Sequence, residues 1–207
     1  VAHPHARYLT VGSRRTDGTI TTPQVPRQQG PAFSGLTASY VAGTFAIERG
    51  LYEEVGGFDD RLRHMEFTDL ALRVYERLSG QDEVAIVDTP TITHIGRPQA
   101  LRESQNPHLL SSASMLVLGK TDHLWRRDRS RYADQLATVG VAFIRGAHDA
   151  DGVRALFGAA RLQPTSARHV GRAVAALVPP LRRRMWPAIV PDVAAAAVTA
   201  SVVIPTY

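Results

Sequence analysis

The 207-residue sequence predicts an α/β fold. Three segments carry this prediction: residues 39–47 are rich in β-branched and aromatic residues, residues 66–78 are amphipathic at helical spacing, and residues 84–87 form an apolar run. Hydrophobic residues make up 44% of the chain and charged residues 21%, which is typical of a globular protein with one sizeable core. These values exclude a disordered tail and a fibrous chain.

The elements before residue 66 are predicted to be short. Residues 8–12 predict a strand, and residues 16–20 predict a turn because their Asp-Gly pair tolerates a positive φ. Residues 23–31, which contain three prolines, predict a loop. Residues 48–55 predict a short helix that stops at the following Gly-Gly pair, where a left-handed conformation is expected.

The segment 66–78 is the clearest helix of the chain, and Gly80 supplies its stop signal. Residues 84–87 then predict a buried strand, and residues 91–94 an extended segment after a proline. The apolar face of the helix consists of Phe67, Leu70, Ala71, Val74 and Leu78. Together these elements predict a strand-helix-strand core.

The second half of the chain is predicted to be mostly helical. Residues 109–162 are amphipathic with arginine-rich turns, and residues 163–200 are rich in Pro, Arg and Ala, which fits a linker or helices that pack elsewhere. We predict four units along the chain. They are a core domain at 1–100, a helical appendage at 101–162, a linker at 163–199 and the start of a possible second domain at 200–207.

The formal charge of the chain is +5, and Lys120 is the only lysine beside 23 arginines. The arginines are scattered except at 126–131 and 182–184, without the basic stripe and interleaved aromatics of nucleic-acid-binding proteins. No nucleic-acid partner is therefore expected. The rival interpretation, a nucleic-acid-binding protein, rests only on the net positive charge. Arginine clusters beside apolar helices also contact anionic lipid, so we expect peripheral membrane contact through Arg182, Arg183 and Arg184.

The sequence lacks cysteine, which excludes disulfides, thiolate zinc sites and cysteine nucleophiles. Residues 185–204 are the best candidate for a membrane span, but two prolines and an aspartate interrupt them. No secretory signal pattern is recognised. A cytoplasmic location is expected, with the protein peripheral at the inner face of the membrane.

The residues best suited to chemistry lie at the start of the helix 66–78. Glu66, Asp69 and Arg73 are spaced i, i+3 and i+7, so they share a side of the helix. Carboxylates there are stabilised by the positive helix end, and one of them could accept a proton from a hydroxyl group. An ordinary i,i+4 ion pair between Asp69 and Arg73 explains the same spacing, and spacing alone leaves both interpretations open.

Four motifs follow one another along the chain: the apolar segment 41–49 with a glycine, the Val-Gly-Gly-Phe-Asp motif at 55–59, the acidic helix start at 66–73, and an extended segment ending at His94. In this order they resemble the second half of the family 2 glycosyltransferases. The resemblance covers roughly residues 8–97. It implies a GT-A fold, a nucleotide-sugar donor, a glycan or lipid-linked acceptor, and a divalent metal (Mn²⁺ or Mg²⁺) held by an Asp-x-Asp motif.

The resemblance also implies roles for individual residues. Glu66 and Asp69 would be catalytic, with one of them the base of an inverting transfer, and His94 would approach the metal or the diphosphate. The residues implied in substrate binding are Gly43, Gly57, Phe58, Asp59 and Arg73. The Asp-x-Asp ligands are expected outside this chain, because the literal match at 149–151 follows the catalytic helix and lies in a helical region.

One departure from the family pattern concerns Phe67, which stands where the family has its second acid, usually the base. Either Glu66 has taken that role, which we favour, or the domain is a non-catalytic glycan-binding or scaffolding module. Residues 200–207 resemble the first strand of the same family and suggest a second transferase module. The parent protein is therefore expected to transfer a sugar to a growing glycan or glycolipid.

Overall fold

The computed structural model describes residues 4–16, 21–95 and 106–189. These residues form an α/β structure, as predicted, in which a four-stranded mixed sheet is followed by a helical bundle. The strands are β1 (Tyr8–Thr16), β2 (Thr21–Gln24), β3 (Arg27–Gln28), β4 (Thr37–Ala38), β5 (Phe45–Ile47) and β6 (Val84–Ile95). The helices are α1 (Arg49–Glu54), α2 (Glu66–Arg77), α3 (Pro107–Lys120), α4 (Asp122–Trp125), α5 (Arg129–Arg145), α6 (Asp149–Leu162), α7 (Ala167–Leu177) and α8 (Pro179–Met185).

Strand β1 is the centre of the main sheet. β6 runs parallel to it along one edge, from the pair Tyr8 and Val84 to the pair Thr16 and Ile95. On the other edge β5 pairs antiparallel with the first residues of β1, and β2 pairs antiparallel with the last. The connection from β5 to β6, which lie on opposite sides of β1, contains α1 and α2.

The β1–β6 ladder slips in register on both sides of Gly12. A Cβ atom at this position would lie 2.8 Å from the carbonyl oxygen of Asp88 and 3.1 Å from the nitrogen of Pro90. Both are backbone atoms that cannot rotate away, so the bulged part of β6 lies over β1 only because residue 12 has no side chain.

The sheet and α2 enclose the first hydrophobic core. Tyr8 is buried between the rings of Phe45, stacked at 5.6 Å, and Tyr75, edge-on at 5.5 Å between centroids. Its hydroxyl donates to the carbonyl of Ser39 at 2.5 Å, and burial raises its pKa. Because β1 thus contacts β5 and α2 through one ring, the predicted strand-helix-strand core is present.

The first core also contains residues that follow the predicted domain boundary at residue 100. Val117 and Leu118 of α3, Leu124 of α4 and Val139 of α5 belong to the same buried cluster as the sheet residues. Helices α3 to α5 therefore cover the core domain directly. A second cluster of mostly small side chains lies between α5, α6 and α7 and includes Trp186.

The segment 163–199 is helical over most of its described part, which ends at residue 189. Of the two alternatives, linker or packed helices, the structure shows packed helices up to Met185. Pro179 and Pro180 occupy the first turn of α8, where a missing N–H costs no helical hydrogen bond. Arg182 anchors α8 to the bundle by ion-pairing with Asp149 and donating to the carbonyl of Ala176 at 3.0 Å.

Two predicted boundaries are wrong. Of the strand predicted at 39–47, only residues 45–47 form β5, because Gly43 adopts a φ of 77° and residues 41–44 make a turn closed by a 2.9 Å hydrogen bond from Thr44 to Val41. The predicted loop at 23–31 contains β3, which pairs with β4. The Asp-Gly turn falls largely on residues 17–20, and the possible second domain on 200–207; both lie outside the described residues.

Helices α5 and α6 cross at two glycines, and filling either should destabilise the bundle. A Cβ on Gly152 would lie 2.5 Å from Ile144 Cγ1 and 2.7 Å from the carbonyl oxygen of Gly140. We expect Gly152→Ala to lower the free energy of unfolding by about 1–3 kcal/mol, measured by urea titration. Gly171→Ala on α7, where a Cβ meets nothing within 4 Å, should instead stabilise by up to about 1 kcal/mol. Equal effects of the two changes would contradict this account of the crossing.

Within residues 4–16, 21–95 and 106–189, no helix combines the length and the apolar character needed to cross a membrane.

Candidate functional site

A tight turn after α1 forms one side of the candidate site. Gly56 and Gly57 adopt left-handed φ values of 78° and 64°, as predicted for this pair. A Cβ on Gly57 would also lie 2.9 Å from the hydroxyl oxygen of Tyr52. The same hydroxyl accepts a 3.3 Å hydrogen bond from the backbone N–H of Phe58. The turn is therefore fixed by the ring of α1 that lies against it.

The first turn of α2 forms the other side. Met65, just before the helix, adopts a φ of 63°, which costs a non-glycine residue about 1–2 kcal/mol. Its sulfur accepts a 2.9 Å hydrogen bond from the hydroxyl of Ser114 on α3. Such a conformation persists only where the surroundings enforce it and is common at functional sites. The left-handed conformation of Met65 sets the direction in which α2 begins, and Glu66 is the first residue of that helix.

Asp69 lies in the interior with 0% of its side chain exposed. Arg73 donates to its Oδ2 from Nη2 at 2.6 Å and from Nε at 3.1 Å. The Nζ atom of Lys120 on α3 lies 2.6 Å from Oδ1 of Asp69. The two atoms form an ion pair, but their angles are not those of a hydrogen bond. Arg73 also donates to the carbonyls of Val55 and, at 2.8 Å, Gly57. The Asp69–Arg73 pair therefore ties α2 to the glycine turn.

Asp59 is the second carboxylate of this network, with 9% of its side chain exposed. Arg61 donates to its two oxygens at 2.9 and 2.7 Å, and Lys120 donates to Oδ2 at 2.8 Å. The hydrogen bonds from Arg61, followed by that from Lys120, hold the pKa of Asp59 well below its usual range. The single ammonium group of Lys120 thus bridges the two aspartates.

Glu66 differs from both aspartates. It is partly exposed, and among the residues that the structure describes none forms a hydrogen bond or ion pair with its carboxylate. It lies in the first turn of α2, at the positive end of the helix dipole. Of Asp59, Glu66 and Asp69, only Glu66 has no ionic partner among the residues that the structure describes.

The structure brings together Gly57, Asp59, Asp69 and Arg73, and it adds Lys120, which the sequence interpretation missed. Asp69 is fully enclosed and paired with two cations, and through Arg73 it ties α2 to the glycine turn. Its catalytic role stays a prediction. The sequence signal for Lys120 is faint, namely a single lysine in a chain that otherwise uses arginine.

Gly43 and His94 lie outside the ion-pair network. Gly43 is exposed in the turn 41–44. His94 pairs with Arg15, five positions along β1 from Thr10, which corresponds to roughly 16 Å of strand. Thr10 in turn pairs with Phe45, whose ring contacts Phe67 at the start of α2. The strand register therefore separates His94 from the N-terminus of α2.

Phe67 belongs to a row of aromatic rings. Its ring meets Phe45 edge-on at 5.9 Å and Phe58 at 5.4 Å between centroids, and Phe58 meets Tyr52 at 6.1 Å. Phe58 is 45% exposed at the outer end of this row. Phe67, which directly follows Glu66 in the sequence, thus supports an aromatic surface.

The residues present do not fit a complete divalent-metal site. In the described ranges no cluster of three or more His, Asp or Glu side chains is arranged to hold a metal ion. The buried Nε2 atom of His94 forms no hydrogen bond with any other described residue, so this side chain offers at most one ligand. Asp149 and Asp151, the literal Asp-x-Asp match, are paired with Arg182 and Arg154 at the start of α6.

The low pKa of Asp59 leads to a pH-dependent stability. A carboxylate whose pKa is depressed by folding stabilises the fold above its unfolded pKa of about 3.9 and loses that contribution as the pH falls further. Asp59→Asn should therefore lower the urea midpoint at pH 7, and its difference from wild type should narrow at pH 3. Asp60→Asn, at the exposed neighbour, should show little difference at either pH. If the difference in urea midpoint between Asp59→Asn and wild type were the same at pH 7 and pH 3, the stabilising effect would not come from the ionised form of Asp59.

Comparisons with protein-family models, with curated proteins and with solved structures give no match for this chain. The α/β class rests on the structure itself.

Proposed function

We propose that this chain forms the acceptor-side part of a GT-A glycosyltransferase, which transfers a sugar from a nucleotide-sugar donor to a glycan or lipid-linked acceptor. The observation that carries the proposal is the division of labour among three acids. Arg61, Arg73 and Lys120 hold Asp59 and Asp69, while the carboxylate of Glu66, at the start of α2, forms no ion pair or hydrogen bond within the described residues. Such an acid on a rigid support suits a general base.

In the proposed reaction Glu66 accepts the proton of an acceptor hydroxyl while that oxygen attacks the anomeric carbon of the donor. The new glycosidic bond forms as the bond to the nucleoside diphosphate breaks, and the diphosphate leaves with the bonding electrons. Attack from the side opposite the leaving group inverts the anomeric configuration. No step is assigned to a metal, because the described residues do not form a site for one.

The other site residues would position the acceptor. The exposed ring of Phe58 offers a flat apolar face to the C–H groups of a sugar ring. Arg73 holds the glycine turn against α2 through the carbonyls of Val55 and Gly57, which keeps Phe58 near Glu66. Positioning of this kind matters because a displacement of about 1 Å can cost about 10²-fold in rate.

A second candidate function is a glycan-binding module without catalysis. The observation that favours it is Phe67, whose ring extends the aromatic row where the resembling enzymes have an acid. Such a module would use the same Phe58 surface to hold a sugar. It would need neither Glu66 nor a nucleotide-sugar donor.

The two functions are separated by an assay on the longest polypeptide that the gene encodes. The protein is incubated with a panel of nucleotide sugars and with candidate glycan acceptors, and release of nucleoside diphosphate is measured. Acceptor-dependent release supports the transferase. Glycan binding in titration calorimetry without any release supports the binding module, and absence of both rejects the two proposals together.

A further inference from the structure

Exposed aliphatic side chains are concentrated on α7 and α8. Of fourteen exposed large hydrophobic side chains in the described part of the chain, six lie within residues 170–185. They are Val170, Val174, Leu177, Val178, Leu181 and Met185, and we call them the α7–α8 apolar surface. Scattered exposed apolar residues are ordinary, but a contiguous group on one segment indicates an interaction site.

The arrangement on α7 follows the helical repeat. Val170, Val174 and Leu177 are spaced i, i+4 and i+7 and so occupy one side of the helix, with Val174 56% and Leu177 58% exposed. Ala173 and Ala176 are buried in the second core. Helix α7 therefore packs on the bundle through small residues, and its larger aliphatic side chains are exposed.

The same part of the chain is strongly basic. Residues 152–191 contain seven arginines and neither Asp nor Glu. Arg182 is bound to Asp149 and to the carbonyl of Ala176, with 14% of its side chain exposed. Arg183 and Arg184 are exposed on α8 and lie in sequence between the apolar residues Leu181 and Met185. The lipid contact expected for the three arginines is therefore narrowed to Arg183 and Arg184.

We propose that the α7–α8 apolar surface rests on an anionic lipid bilayer, with its aliphatic side chains at the acyl boundary and Arg183 and Arg184 at the headgroups. Helices with basic and aliphatic side chains bind such interfaces through burial of the aliphatic groups and through attraction of the basic groups to anionic lipids. This inference does not depend on the proposed function. It would bring a lipid-linked acceptor to the protein if that function is correct.

Two other occupants fit the surface less well. A second copy packed by two-fold symmetry would bring Arg183 and Arg184 of both copies together without an acid within residues 152–191 to offset them. A nucleic acid would be held by phosphate contacts and stacking on aromatic rings. The single Phe, Tyr or Trp of residues 167–189 is Trp186, which is 7% exposed and belongs to the second core.

The test is co-sedimentation of the whole chain with vesicles. Vesicles of phosphatidylcholine and phosphatidylglycerol in a 3:1 ratio should bind the protein, and pure phosphatidylcholine vesicles should bind it far more weakly. R183Q/R184Q should weaken binding about 30-fold, from about 1 kcal/mol for each arginine near the bilayer surface. L177S/L181S should weaken it about tenfold through lost apolar burial.

Matched variants remove the same groups elsewhere. R127Q/R129Q deletes two exposed arginines near α4 and α5, and M115S deletes an exposed apolar side chain of α3; both should bind vesicles like the wild type. Thermal melts of all variants should coincide, since each changed residue is exposed. Three results would overturn the proposal: no binding to the anionic vesicles, unchanged binding by both surface variants, or a dimer in sedimentation velocity that L177S/L181S abolishes.

Discussion

Glu66→Gln should reduce sugar transfer by about 10²–10⁴-fold, the range that a positioned general base supplies. The amide keeps the size of the side chain but cannot take the acceptor proton. Because Glu66 has no partner among the described residues, the change disturbs no ion pair, and the melting temperature should stay within about 1–2 °C of wild type. The loss should appear in kcat, with KM for the acceptor changed little.

Glu53→Gln on α1 is the matched control for Glu66→Gln. It removes an exposed carboxylate whose partner is Arg49, a surface pair worth at most about 1 kcal/mol. Transfer by this variant should equal that of the wild type. If Glu66→Gln retains more than half of the activity, Glu66 is not the base and the assignment of the catalytic acid fails.

Asp69→Asn should lower the free energy of unfolding by about 3–5 kcal/mol, because it leaves the largely buried Arg73 without its counter-charge and Lys120 with Asp59 alone. Arg73 and Lys120 have only 20% and 25% of their side chains exposed, so water replaces little of the lost attraction. Asp60→Asn, on an exposed residue one position after Asp59, should change stability by less than about 0.5 kcal/mol. Urea titration at pH 7 measures both.

A double-mutant cycle distinguishes the charge from the shape of Asp69. Adding Lys120→Met to Asp69→Asn removes a cation that has already lost one of its two carboxylate partners, so the double variant should be more stable than the sum of the two single losses predicts. Strict additivity would mean that Asp69 and Lys120 do not act on each other. In that case the network would reduce to the Asp69–Arg73 pair.

Local sequence patterns predicted the regular elements best. The repeat from Phe67 to Leu78 predicted α2 to within one residue of its observed end at Arg77, because one buried side imposes the helical period directly. The predicted strand at 39–47 was mostly wrong, since the β-branched residues before Gly43 enter a turn that depends on its positive φ. Strand propensity cannot register such a backbone requirement.

The site was predicted only in part, since its contacts are non-local. Spacing on one helix predicted the pair of Asp69 and Arg73. The contact from Lys120 to Asp69 joins residues 51 positions apart and depends on how α3 packs over α2. The burial of Asp69 follows from the same packing, so the enclosure of this carboxylate had no sequence signal.

The proline-rich segment after residue 163 shows the limit of composition as a guide. Prolines at 179 and 180 suggested a linker, but they begin a helix instead of breaking one. Whether such a segment is a linker or a packed helix depends on whether small residues such as Ala173 and Ala176 have a surface to pack on. That surface is provided by α5 and α6.

The position of Lys120 gives the protein a built-in site for chemical footprinting. It is the only lysine of the chain, so an amine-reactive reagent has one side-chain target besides the terminal amine. That target bridges Asp59 and Asp69, and a quarter of its side chain faces solvent. The extent of acylation at this one residue, read by peptide mass spectrometry, therefore reports whether the network is closed, opened by a mutation or shielded by a bound molecule.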